Sequence, residues 1–207
     1  PNSALSKLRA SSSSAGGTVS FAGDVQTDTI DIGGDAQTTA LLTLAADTSA
    51  DIDGTLTIGD AAGETLTVDT PDATFGIVNS GATFGNDLTV AQNAADVVTF
   101  GNLVGSAADG ELGTVSTGTD SDATIDASMT ADTLGFDGTV TTTEAVTFTA
   151  GTSVDFADVL TIGDGAGDNL VIDSPNTGFQ TIDSSDSDAN DLTVNNTVAF
   201  NGAVGQE

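Results

Sequence analysis

The stretch LTIGDAAGETLTVDTP that begins at Leu56 returns as LTIGDGAGDNLVIDSP at Leu160, 104 residues later. The same offset carries Asp28-Thr29 onto Asp132-Thr133, Thr43 onto Thr147, Pro71 onto Pro175, Phe75 onto Phe179, and the NDLTV at Asn86 onto the NDLTV at Asn190. About half of the positions between Leu56 and Val90 are identical without a gap, so the chain holds a duplicated unit. After Val90 the second copy is four residues shorter, and FGNLVG at Phe100 is answered by FNGAVG at Phe200. This divides the chain into an N-terminal anchor or tether (1–17), copy one (18–105), a connector (106–121) and copy two (122–207). The connector is polar, although its GTVS at Gly113 echoes the GTVS at Gly17 and reads as a strand. The second copy stops where a third would begin, which points to a fragment of a longer array or a subunit that continues into its neighbour. Pro1 at the start, with Met129 the only methionine, points to a processed or truncated N-terminus.

Inside each copy the runs VSF, TIDI, LLTL, TLTI, TLTV, DLTV and VVTF alternate apolar residues with Thr or Asp, the period of a half-buried strand. β-Branched Thr, Val and Ile dominate them, as a pleated surface favours. Gly, Asp, Asn and Ser clusters between the runs supply turns. Strand follows strand too closely for an intervening helix, so the chain is all-β. Two architectures fit this rhythm: a β-solenoid or β-helix-like stack of short strands built from the two tandem repeats, or two tandem β-sandwich domains. The strands are short, and aromatic residues are few at 4%, all of them Phe. A narrow solenoid coil with a core of small branched side chains suits that better than a sandwich; three chains sharing one β-helical core is a variant of the same idea.

Charge limits the partners. Thirty-one acidic residues face two basic ones, Lys7 and Arg9, for a net charge of −29. Such a surface repels phosphate backbones and anionic lipid heads, so neither nucleic acid nor a charged membrane surface is expected as a partner. No run approaches the ~18–20 apolar residues of a membrane-spanning helix, so no membrane insertion is expected either. Acidic residues on a repetitive surface also keep it soluble and discourage edge pairing.

Histidine, cysteine, tyrosine and tryptophan are all absent. That removes Ser-His-Asp and Cys-His arrangements, imidazole and thiolate metal sites, and disulfides. Paired-carboxylate chemistry needs one singular site, whereas these carboxylates recur along repeated turns, so no enzyme activity is expected. No cofactor is required by anything in the sequence. Calcium is the one candidate ion. Asp60 and Glu64 in copy one match Asp164 and Asp168 in copy two, each pair bracketing a Gly/Ala turn, and hard carboxylate and carbonyl oxygens in a flexible turn suit calcium. GDGAGDNLVID at Gly163 also resembles a calcium-binding RTX nonapeptide. It departs from that pattern at Asp164, where a glycine belongs, in an acidic residue one position early, and in the lack of a tandem nine-residue period.

The segment SALSKLRA at Ser3 is the only positive, non-repeating stretch, and SSSSAGG follows as a tether. Leu5, Lys7, Leu8 and Arg9 are therefore candidates for an assembly contact on the acidic surface of a neighbouring subunit.

Set side by side, LTIGDAAGETLTV, ATFGNDLTV and VAFNG resemble the β repeats of bacteriophage tail-fibre and related virion proteins, and those of bacterial surface adhesins and extracellular filament proteins. The resemblance covers nearly all of the chain after Thr18. It implies an extracellular, elongated, usually homo-oligomeric fibre subunit without enzymatic activity, at a cell surface or on a virion. The alternative it leaves open is a calcium-dependent adhesin or surface-layer module that recognises a glycan or cell-surface receptor.

Overall fold

The computed structural model describes residues 5–10, 17–82, 85–91, 96–106, 110–119, 121–163, 165, 167–184 and 190–205. Among them are sixteen strands and no helix. Every strand pairing is parallel, and the strands stack as a β-solenoid of about 8 turns. Tandem sandwiches are excluded, since their sheets are antiparallel.

The long strand β5 (Leu42–Ile58) displays one complete coil. Its residues from Leu42 to Ala45 pair with β6 (Thr65–Asp69), and those from Ser49 to Ile58 with β7 (Asp72–Ser80), with a register break between Ile52 and Thr55. Each coil thus has three strand segments, and like segments stack into three faces. The inward column of the first face includes Leu42, Leu66, Leu88, Val115, Leu134 and Val154. On the second face it runs through Ile30, Ala50, Ala73, Val98, Ala123, Val140 and Leu160. On the third face it runs through Ala36, Leu56, Val78, Val104, Met129, Phe148 and Ile172. Strict alternation explains this: inward residues are apolar and buried, and their neighbours face water.

Corners have their own chemistry. Buried Ser and Thr hydroxyls donate to the carbonyl two residues on, Thr70 to Asp72 at 3.2 Å, Ser80 to Ala82 at 2.7 Å and Ser174 to Asn176 at 2.8 Å. Such local bonds satisfy the backbone where the ladder breaks.

One core runs through the whole solenoid, from Phe21 to Ile182. Within segment 106–121, β10 (Leu112–Thr117) pairs with β8 (Asp87–Ala91) on one side and β12 (Met129–Phe136) on the other. The interior is bulkier than small branched side chains would make it. Phe75 and Phe100 stack at 5.5 Å on the second face. On the first face Phe136, Phe156, Phe179 and Phe200 form a continuous column at 5.3, 5.3 and 5.4 Å. Phe148 enters from the third face, 5.9 Å from Phe136 and 6.0 Å from Phe156.

The duplicated unit does not return to the same face. Leu56 lies on the third face and its counterpart Leu160 on the second. Phe75 lies on the second and Phe179 on the first, while Leu88 lies on the first and Leu192 on the third. A step of 104 residues is therefore a screw operation, a rise along the axis with a rotation by one face.

Candidate functional site

The two acidic turns join successive coils at different corners, and both are built by the same interactions. Gly59 and Gly163 open them with φ of 72° and 73°, a conformation that glycine adopts without strain. Their N–H groups donate to threonines of the preceding coil, Gly59 to Thr38 Oγ1 at 2.8 Å and Gly163 to Thr142 Oγ1 at 3.0 Å. An asparagine of the following coil closes each turn. Asn86, fully buried, donates to the Ile58 carbonyl at 2.6 Å and accepts from Glu64 N–H at 3.0 Å. Asn190 donates to the Ile162 carbonyl at 3.0 Å and accepts from Gly167 and Asp168 N–H at 3.0 and 3.1 Å.

Within this frame the carboxylates act first on the backbone. Glu64 Oε2 accepts from Asp60 N–H at 2.8 Å and Ala61 N–H at 3.2 Å, and Asp168 Oδ2 accepts from Gly165 N–H at 2.9 Å. Asp60 is exposed on the outside of its turn. Asp164 lies outside the described residues. Among the described residues no three His, Cys, Asp or Glu side chains are grouped to hold a metal ion. The turn of copy one offers an ion two carboxylates, one already held by N–H groups, where calcium takes six to eight oxygens.

The four N-terminal residues lie together at one end of the solenoid. In β1 (Leu8–Ala10), Leu8 and Ala10 pack on the core, and the strand pairs with the latter part of β3 (Val25–Ile32). Leu5 bridges to Thr27 and stays half exposed. Lys7 Nζ lies 2.9 Å from Asp31 Oδ2, and Arg9 Nε lies 3.4 Å from the same atom. The basic segment thus meets an acidic residue of its own chain. The hydrogen bond from Lys7, with the charges of Lys7 and Arg9, holds the Asp31 carboxyl below its ordinary value against an opposing effect of burial. Asp51, on the next rung of the same outward column, is pushed the other way by burial, then by Asp53, which also shares a hydrogen bond with it, and by Asp31. One of its oxygens is buried without a partner.

Beyond Asp51 that column is neutral, passing through Thr74, Thr99, Thr124, Thr141 and Thr161 before it reaches Asp183. A shallow groove at a corner between the second and third faces is lined by Asn102, Leu103, Asp126, Ser128 and Glu144 among others. There Asp126 accepts from the Thr143 hydroxyl.

The asparagine locks are the feature that a reading of the sequence passes over. Their signal was the repeated Asn of NDLTV, which stands at the end of the turn rather than inside it. No protein-family model, curated protein or solved structure is detectably similar to this chain.

Proposed function

We propose that this chain is a non-enzymatic structural subunit of an extracellular fibre or filament. The observation that carries the reading is the uninterrupted core of a parallel solenoid, built from a duplicated element that rotates by one face as it rises. A screw-related element can be added again without altering the cross-section, which is what a length-building module requires. The polar groups that recur in both copies bond to backbone: Thr38 and Thr142, and Asn86 and Asn190, to that of adjacent coils, and Glu64 and Asp168 to that of their own turns. The threonines and asparagines hold coil to coil, and the carboxylates shape the turn between. Negative-stain electron microscopy of the purified chain tests the reading: rods or filaments of uniform width are expected, and isolated particles at every concentration would overturn it.

A second reading, a calcium-dependent adhesin or surface-layer module with a glycan or cell-surface partner, is favoured by one feature. Asp60 stands free on the surface beside Glu64 in a turn that the chain uses twice. A rise in melting temperature that is specific to millimolar calcium and reversed by chelator would move the assignment to that class.

A further inference from the structure

The charge of the solenoid is spread unevenly over its three faces. On the third face one outward column runs through Thr55, Ile77, Leu103, Ser128 and Thr147, and its companion runs from Thr57 through Asn79 and Thr130 to Thr149. None of these side chains is charged, so the strip stays neutral over five successive rungs, a length of about 24 Å at the spacing of paired strands. Asp35 and Asp173 bound it. The other faces of the same coils are acidic: the first carries Asp69, Asp87 and Asp155, and the second Asp51, Asp72 and Asp122. Alternation reserves outward positions for polar residues, yet the middle of the strip breaks that rule. Leu103, on its central rung, is 46% exposed, and Ile77 on the rung before is half-buried. Both lie in interior coils, with further coils stacked above and below them.

We infer that this strip is the surface on which a second copy of the chain packs, side by side and face to face. The charge selects that occupant. Two chains of net charge −29 repel wherever their carboxylates meet, and among the three faces this strip lets them approach without setting acid against acid. A cationic partner, by contrast, is drawn to the other two faces and gains nothing here. The strip also complements itself. A two-fold axis through the Leu103 rung lays each neutral rung on a neutral rung of the second copy, Leu103 against Leu103 and Ile77 against Ser128, and such an isologous contact closes as a pair. Asp126 and Glu144, which line the groove at the neighbouring corner, stand at its rim and oppose close approach until salt screens them. A strip of this size fits a weak, concentration-dependent pair and not a permanent dimer. The inference goes beyond the fibre reading and does not rest on it, because sideways pairing needs no contact between subunit ends.

The experiment is sedimentation equilibrium over a range of concentrations in about 1 M sodium chloride, on the full chain and on Leu103→Asp and Thr124→Asp. Each variant adds one carboxylate, on the third face and on the second, and circular dichroism with melting checks that both fold. The parent and Thr124→Asp should form a two-copy species, and Leu103→Asp should weaken it by about tenfold or more, since the new charges face each other across the contact. A second variant needs no change of charge. The chain has no cysteine, so Leu103→Cys should yield a disulfide-linked pair under mild oxidation, because the two-fold axis brings its two copies together, while Thr124→Cys should not. A parent that stays monomeric at every concentration, equal weakening by the two aspartates, or equal cross-linking by the two cysteines would overturn the inference. Filaments one solenoid wide in electron micrographs would also overturn it and leave the fibre reading intact, whereas discrete pairs without filaments would do the reverse.

Discussion

Asn86 is fully buried and makes its bonds to two different stretches of backbone, the Ile58 carbonyl and the Glu64 amide. Truncation to alanine strands both groups away from water, and each unsatisfied partner costs about 1–3 kcal/mol. Asn86→Ala should therefore destabilise the solenoid by about 2–4 kcal/mol in urea unfolding. Asn190→Ala should cost less, since Asn190 is only half-buried and water can replace the lost amide. Asp51 gives a prediction of opposite sign. Burial and, after it, acidic neighbours raise its carboxyl above the ordinary value, so the folded chain holds a proton over a range where the unfolded chain has released it. Stability from this group falls as pH rises through the raised value and is regained as pH drops toward the ordinary carboxylate range. Asp51→Asn should therefore stabilise the protein at neutral pH, and chemical denaturation below the unfolded pKa should show no gain. Asp31 contributes in the opposite sense, its stabilisation present at neutral pH and lost as acid protonates it.

At the scale of the strand, the choice of Thr over Asp in the outward column of the second face follows from coil spacing. Neighbouring rungs lie ~4.8 Å apart, where two like charges cost ~1 kcal/mol even in water. Asp31 and Asp51 do stand on adjacent rungs, and there Lys7 and Arg9 lie against Asp31. The run from Thr74 to Thr161 has no such cations, and threonine fills it. Thr99→Asp and Thr124→Asp should each be mild, but the double variant should be destabilised beyond their sum by ~1 kcal/mol, a coupling that high salt removes. The strands themselves were legible in the sequence, because alternation of apolar residues with Thr or Asp reports directly on a pleat with one wet face. Their pairing was not. The same TLTI or DLTV pattern serves a sandwich strand equally well, and the parallel register emerges only when corners such as Thr70 and Ser174 bend the chain onto the next face. The candidate site was half legible: the acidic turn stood out as a repeat, but the bonds that use Glu64 and Asp168 come from amides of their own turn, which composition cannot reveal.

For the molecule as a whole, the dominant unscreened force is self-repulsion. With a net charge of −29, and ion pairs among the described residues confined to Lys7 and Arg9 with Asp31, nearly every carboxylate lacks a counter-charge. The repeat made the length of the stack legible, but the rotation of one face per copy could not be read from it, since the number of coils spanned by 104 residues depends on how long each corner loop is. That rotation moves the acidic turn to a different corner in the second copy instead of stacking it in line with the first. It acts as the threonine column does on a finer scale, keeping like charges apart. Melting temperature should therefore climb steadily as sodium chloride is raised from about 0.01 to about 1 M, over which the screening length shrinks from about 30 to about 3 Å. For the proposed fibre, the same screening should favour self-association, because two strongly acidic chains must approach before they can meet. Calcium and magnesium chloride at matched ionic strength separate general screening from a bound ion: coincident melting curves for the two divalent salts are expected of a plain fibre. A calcium curve displaced well above the magnesium one would mean that the acidic turns, with Asp60 outermost, hold the ion after all.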